Sequence, residues 1–215
     1  MLKKHFLYPG YILLIILASV SCKRDGSSRT SVQTTDVEIP TQPPATPQQS
    51  APSMNVPNDQ VFREACLEGK TEQVEKFIQN GMDVQSIDQD GRSGLMLACF
   101  NGHIEVARKL LAEGSEVNRT DNMGRTALMY ASTGHYPQTV ELLLSEGADP
   151  NVVDNAEGFT ALMFASAEGN VKVVRLLLEH NADPALKDKD GDTAESFARQ
   201  NGHKEVADFI QSRLN

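Results

Sequence analysis

A chain of 215 residues has room for one or two domains, and its formal charge of −9 arises from 29 acidic against 20 basic residues. Nucleic-acid binding needs a basic stripe to neutralise phosphate, and no cluster of Lys or Arg in the last three-quarters of the chain supplies one. No apolar run approaches the roughly 20 residues of a bilayer-spanning helix, which speaks against a permanent transmembrane anchor.

Residues 1–21 open with Lys3 and Lys4, run apolar from Tyr11 to Val20 and place small residues before Cys22. That is the layout of a secretion signal. The stretch LASVSC resembles a bacterial lipobox, in which the cysteine becomes the lipidated first residue of the mature protein. Ser19 departs from the aliphatic residue typical three places before that cysteine. The resemblance implies a lipid anchor on Cys22, with the membrane as a partner. An ordinary cleaved signal and an uncleaved anchor are the alternatives. Loss of residues 1–21 leaves 18 basic against 29 acidic residues, a net charge of −11.

Residues 22–57 form the next segment. After Cys22 the composition turns to Ser, Thr, Gln and Pro, with prolines at 40, 43, 44, 47, 52 and 57. Too little apolar surface is present to offset the entropy of ordering, so the segment is expected to be a disordered tether reaching at most about 100 Å.

From residue 58 onward the chain repeats itself. TALMYAS at 126–132 recurs as SGLMLAC at 93–99, TALMFAS at 160–166 and TAESFAR at 193–199, with a degenerate QVFREAC at 60–66. The shared alanines Ala65, Ala98, Ala131, Ala165 and Ala198 lie 33, 33, 34 and 33 residues apart. Such a period predicts a stacked array. Each unit reads as helix, turn, helix and finger, the second helices carrying apolar triads such as Val140, Leu143 and Leu144. Helices this short need the next unit to cover their apolar stripes. Gly81, Gly114, Gly147 and Asn181 are expected to end the second helices in left-handed conformation. Gly91, Gly124, Gly158 and Gly191 mark tight finger turns, and the extra residue behind the interval of 34 falls between Gly147 and Gly158. Polar residues at the ends of the array (Arg63, Glu64, Glu195, Arg199, Gln211) read as solubilising caps. The boundaries are about 58–90, 91–123, 124–157, 158–190 and 191–215.

Period 33, a Thr-x-Leu start, Gly-His at 102–103 and 202–203, leucine pairs and GADPN at 147–151 together resemble ankyrin repeats over residues 58–215. The implied fold is all-α: a solenoid of helix-turn-helix units with short hairpin fingers. Two departures stand out. Thr-Ala-Leu-Met replaces the family's Thr-Pro-Leu-His, so Met96, Met129 and Met163 should form a stacked, polarizable apolar ladder, and the histidine that ties neighbouring loops is missing, which implies a looser array. His135-Tyr136-Pro137 predicts a different inter-helix turn in the third unit.

No phosphate loop, metal-ligand spacing or nucleophile elbow is present, so no enzyme activity, cofactor or metal is expected. Asp88, Asp90, Asp121 and Asp154 read as turn residues bonding local backbone. His103 and His203 share one phase and stand too far apart to share a metal. Cys66 and Cys99 occupy the same phase one layer apart, beyond disulfide reach, and are expected to be buried free thiols. By resemblance, the partner-binding side is lined by finger tips and exposed first-helix positions: Gln89, Arg92, Asn122, Met123, Arg125, Asn155, Glu157, Phe159, Lys189 and Asp192, with Phe100 and Asn101 at a helix end. Met123, Phe159 and Phe100 are the expected apolar anchors. The functional expectation is a protein-binding scaffold lipid-anchored in the bacterial envelope, with an envelope spacer or a metal- or small-molecule-dependent protein as alternatives.

Overall fold

Ser93, Thr126, Thr160 and Thr193 each hold extended backbone, and each side-chain oxygen accepts the backbone N–H three residues on at 3.3 Å. They are N-caps, satisfying a donor that the first helical turn leaves open. The computed structural model describes residues 56–214, so residues 1–21, Cys22 and nearly all of the 22–57 tether lie outside the described residues. Replacing Thr126 with Ala removes one cap and should lower stability by about 1 kcal/mol, read as a lower urea midpoint with an unchanged slope.

The described residues form ten helices in five pairs: α1 (Val56–Leu67) and α2 (Thr71–Gln79), α3 (Gly94–Phe100) and α4 (Ile104–Ala112), α5 (Ala127–Ser132) and α6 (Pro137–Ser145), α7 (Ala161–Ala167) and α8 (Val171–Glu179), α9 (Ala194–Gln200) and α10 (Lys204–Leu214). The fold is the expected all-α repeat array. α1 begins two residues ahead of the expected boundary at 58, and Pro57 falls in its first turn, where a missing N–H leaves no bond unmade. The first helices pack on one another in chain order, and the second helices do the same in a parallel row. Leu95, Leu128 and Leu162 are buried, as are Met96, Met129 and Met163. The methionines therefore lie in the core between layers, as their register required.

The second helices of the first four units end at Gly81, Gly114, Gly147 and Asn181 with φ of 82°, 89°, 86° and 65°. Asn181 is the one described non-glycine residue with positive φ, and its phase explains why an asparagine stands there. Two amide systems then join the layers. On the finger side, Gln85, Asn118 and Asn151 each donate to the carbonyl of the next unit's helix-ending residue, Gly114, Gly147 and Asn181, at 2.6, 2.9 and 3.0 Å. The side-chain oxygens of Asn118 and Asn151 accept from Asp149 and Asp183 N–H at 2.8 Å. At the opposite turns, Asn101 and His103 both reach the Leu67 carbonyl, Asn170 reaches Gly134, and Asn201 and His203 both reach Ala167. These bonds supply the ties between neighbouring loops that the missing Thr-Pro-Leu-His histidine led us to expect would be weaker.

The third inter-helix turn differs as predicted. α5 stops at Ser132, one residue earlier in phase than α3, and neither Gly134 nor His135 is left-handed, whereas Gly69, Gly102, Gly169 and Gly202 are. Tyr136 fills the place of His103 and lies over Gly102, where an added methyl would run into its ring.

Candidate binding face of the fingers

Between each second helix and the next first helix the chain turns out into a finger. In the first finger Asp88 N–H bonds the Arg92 carbonyl, and in the second Asp121 N–H bonds Arg125, both at 3.0 Å. In the third the closure runs from Asp154 to Phe159, five residues rather than four, which places the extra residue of the 34-residue interval in the tip. The aspartate at each base folds inward. Asp88 Oδ1 accepts from Asp90 and Arg92 N–H, Asp121 Oδ1 from Met123 and Arg125, and Asp154 Oδ1 from Glu157, Gly158 and Phe159. These are the local backbone bonds expected of turn aspartates. Asp90 instead pairs with Arg92 at 3.2 Å. The tips are also linked across layers, through Asn122 N–H to Asp90 O, Asn155 N–H to Met123 O and Lys189 N–H to Glu157 O at 2.7–2.9 Å.

Several residues expected to face a partner are held within the array. Arg92 is 8% exposed and its guanidinium pairs with Asp88 at 2.7 Å. Arg125 pairs with Asp121 at 3.1 Å and lies over the Tyr130 ring, 5.1 Å from its centroid. Buried Tyr130 donates its hydroxyl to Asp121 Oδ2 at 2.7 Å. Burial above all pushes that phenol above its ordinary range, and the Arg125 charge offsets part of the rise. Phe100 meets Tyr130 edge-on at 6.2 Å. Phe159 stands edge-on between Phe164 at 5.6 Å and Phe197 at 5.3 Å, bridging the fourth and fifth layers. Asn101 gives its amide to Leu67, and half-buried Asp192 accepts from Gln200. The sequence pattern marks each position without revealing its contacts: Phe100, Asn101 and Phe159 lean onto a neighbouring layer, whereas Arg92, Arg125 and Asp192 are paired within their own finger or unit.

Gln89, Asn122, Met123, Asn155, Glu157 and Lys189 are exposed. Asn122 donates to the Gln89 carbonyl at 3.0 Å, and Lys189 Nζ bonds the Asn155 and Ala156 carbonyls at 2.7 and 2.5 Å, so both lie along the preceding tip. Met123 is 37% exposed, and two apolar finger residues absent from the sequence expectation are exposed as well: Ile87 at 43% and Val153 at 46%. Both immediately precede the inward-folded aspartate of their finger. Their shared phase was visible in the sequence, but an apolar residue beside a turn reads first as core. The first helices offer less than expected, because α3, α5 and α7 are buried almost throughout and Phe100 alone reaches half-exposure among their residues.

The ankyrin-repeat family model, three copies of the repeat, matches residues 62–154 and 132–213. The chain belongs to the ankyrin-repeat family. A search of curated proteins finds no match. Ankyrin repeats generally mediate protein–protein interaction, so the array is a protein-interaction scaffold in its general class. In this ankyrin array the exposed large apolar residues of the fingers are Ile87, Met123 and Val153, whereas Phe159 and Phe100 are half-buried.

The remaining reactive side chains serve the array. Cys66 and Cys99 are buried and free. Burial pushes the Cys66 thiol up to about 12, with Arg63 offsetting part of the rise, and raises Cys99 well above its ordinary value. Thiols held protonated in this way are poor nucleophiles. Among the described residues no three His, Cys, Asp or Glu side chains are placed to hold a metal ion, and no helix is long and apolar enough to cross a membrane.

Proposed function

We propose that this ankyrin protein is a non-catalytic docking scaffold of the bacterial cell envelope, anchored by a lipid on Cys22 and binding another protein through its finger face. Residues 1–21 act as the signal and residues 22–57 as the tether that sets the reach of the array. The observation that carries the docking reading is the exposed trio Ile87, Met123 and Val153 on consecutive fingers whose backbones are tied together. Apolar side chains on a rigid support keep little entropy to lose on binding, which suits them as interface anchors.

Two measurements separate the parts of this reading. Radiolabelled palmitate should enter the wild-type chain and fail to enter Cys22→Ala; equal labelling of both, or of neither, removes the lipid anchor. Pull-down from detergent-solubilised envelopes should recover a protein that Met123→Asp loses. An envelope spacer would tolerate Met123→Asp and fail instead when the 22–57 segment is shortened.

A further inference from the structure

The charge of the repeat array is not spread over its surface. Residues 58–215 hold 26 acidic against 15 basic residues, a net of −11. The four finger segments, 80–93, 113–126, 146–160 and 180–193, hold 14 acidic against 5 basic residues, a net of −9. The helices and their inter-helix turns hold the remaining 12 acidic and 10 basic residues, a net of −2. Charge kept only for solubility has no reason to avoid those helices.

The few finger bases do little to neutralise this field outward. Arg92 and Arg125 are folded against Asp88 and Asp121, Arg119 pairs with Glu116 at 3.8 Å, Lys189 is bonded to backbone carbonyls, and the fifth base, Lys187, is exposed in the fourth finger, outside the three that carry the apolar trio. By contrast Asp83, Glu113, Glu146, Asp149, Glu157 and Asp190 are exposed. Ile87, Met123 and Val153 thus lie in finger segments that carry five of these exposed acidic residues.

We propose that the finger face is built for a cationic protein segment that carries large apolar side chains. This rests on the docking role proposed above and specifies its partner. A purely apolar partner would strip water from the surrounding carboxylates without replacing it, which is costly. An acidic partner would be repelled during approach, and a cationic but wholly polar one would leave Ile87, Met123 and Val153 uncovered. Basic residues flanking apolar ones answer both demands and are steered in by the field. Stacked helices lie about 8–10 Å apart, so contact from Ile87 to Val153 crosses two layers. A partner helix covers that distance in about 11–13 residues at 1.5 Å each, and an extended strand in about five or six at 3.3 Å each.

The test is selection of a random peptide library on the full chain in detergent, with binding of the enriched peptides then measured at low and high salt. The expected peptides have net positive charge and at least two large apolar residues. Their affinity should fall about tenfold or more from about 50 to about 500 mM salt. It should fall about as far on the triple change Ile87→Ser, Met123→Ser and Val153→Ser. Changing Glu146→Gln, Asp149→Asn and Glu157→Gln should flatten the salt dependence while leaving the trio in place. Circular dichroism serves as the check that both triple variants stay folded. Enriched peptides that are neutral or acidic, or indifferent to salt, yet lost on the serine variant, overturn the cationic partner and leave the docking face standing. Peptides unaffected by the serine variant, or no enrichment at all, overturn both.

Discussion

Asp121→Ala should lower the stability of the array by about 3 kcal/mol, the largest loss expected from a single finger residue. The Asp121 carboxylate is almost fully buried and accepts from two backbone N–H groups, the Arg125 guanidinium and the Tyr130 hydroxyl. Removing it strands a buried phenol and leaves Arg125 without its counter-charge. Breaking a fully buried ion pair costs about 3–5 kcal/mol, and the lower end applies because the Arg125 side chain keeps some exposure. Tyr130→Phe removes the hydroxyl alone and should cost about 1 kcal/mol. Urea unfolding of the full chain compares the two. An Asp121→Ala loss no greater than that of Thr126→Ala would show that the finger does not depend on this carboxylate. Because Asp121 also orders the backbone at Met123, the variant should weaken partner binding without touching a contact residue.

Phe159→Ala should cost about 2–3 kcal/mol, below the ~3–5 of a fully buried phenylalanine because this ring is half-exposed. Its effect should be local. The ring contacts Phe164 in α7 and Phe197 in α9, so its loss weakens the interface between the fourth and fifth layers. In a solenoid, where each layer contacts only its neighbours, such a loss frees the terminal layer first. Amide hydrogen exchange should accelerate in α9 and α10 while α3 and α4 keep their protection. Uniform acceleration, or none, would mean that the aromatic bridge does not hold the last layer. Partner loss on a Phe159 substitution would then report a loosened array as much as a missing contact, which is why Met123 is the better probe of docking.

The sequence alone determined the number of layers, their phase and the points where the backbone turns. The 33-residue recurrence fixes where each helix lies, the Thr caps and left-handed residues set its ends, and the added residue near Gly158 marks the longer finger. These features are local and repeat in register, so one chain carries several independent copies of the same signal. The direction taken by each finger side chain depends instead on the partners that its own folded finger and the adjacent layer present. Arg92 and Arg125 find the aspartate of their own finger, Phe159 finds one ring in its own layer and one in the next, and Asn101 finds a carbonyl of the preceding layer, and all turn inward. Ile87 and Val153 find no such neighbour and stay in solvent. The inter-layer amides at Gln85, Asn118 and Asn151 recur at a visible spacing of 33, but their acceptors lie about 30 residues away and exist only once the layers are stacked. Burial and pairing between layers were therefore settled by tertiary structure, because they belong to the interface between two units and to neither unit by itself.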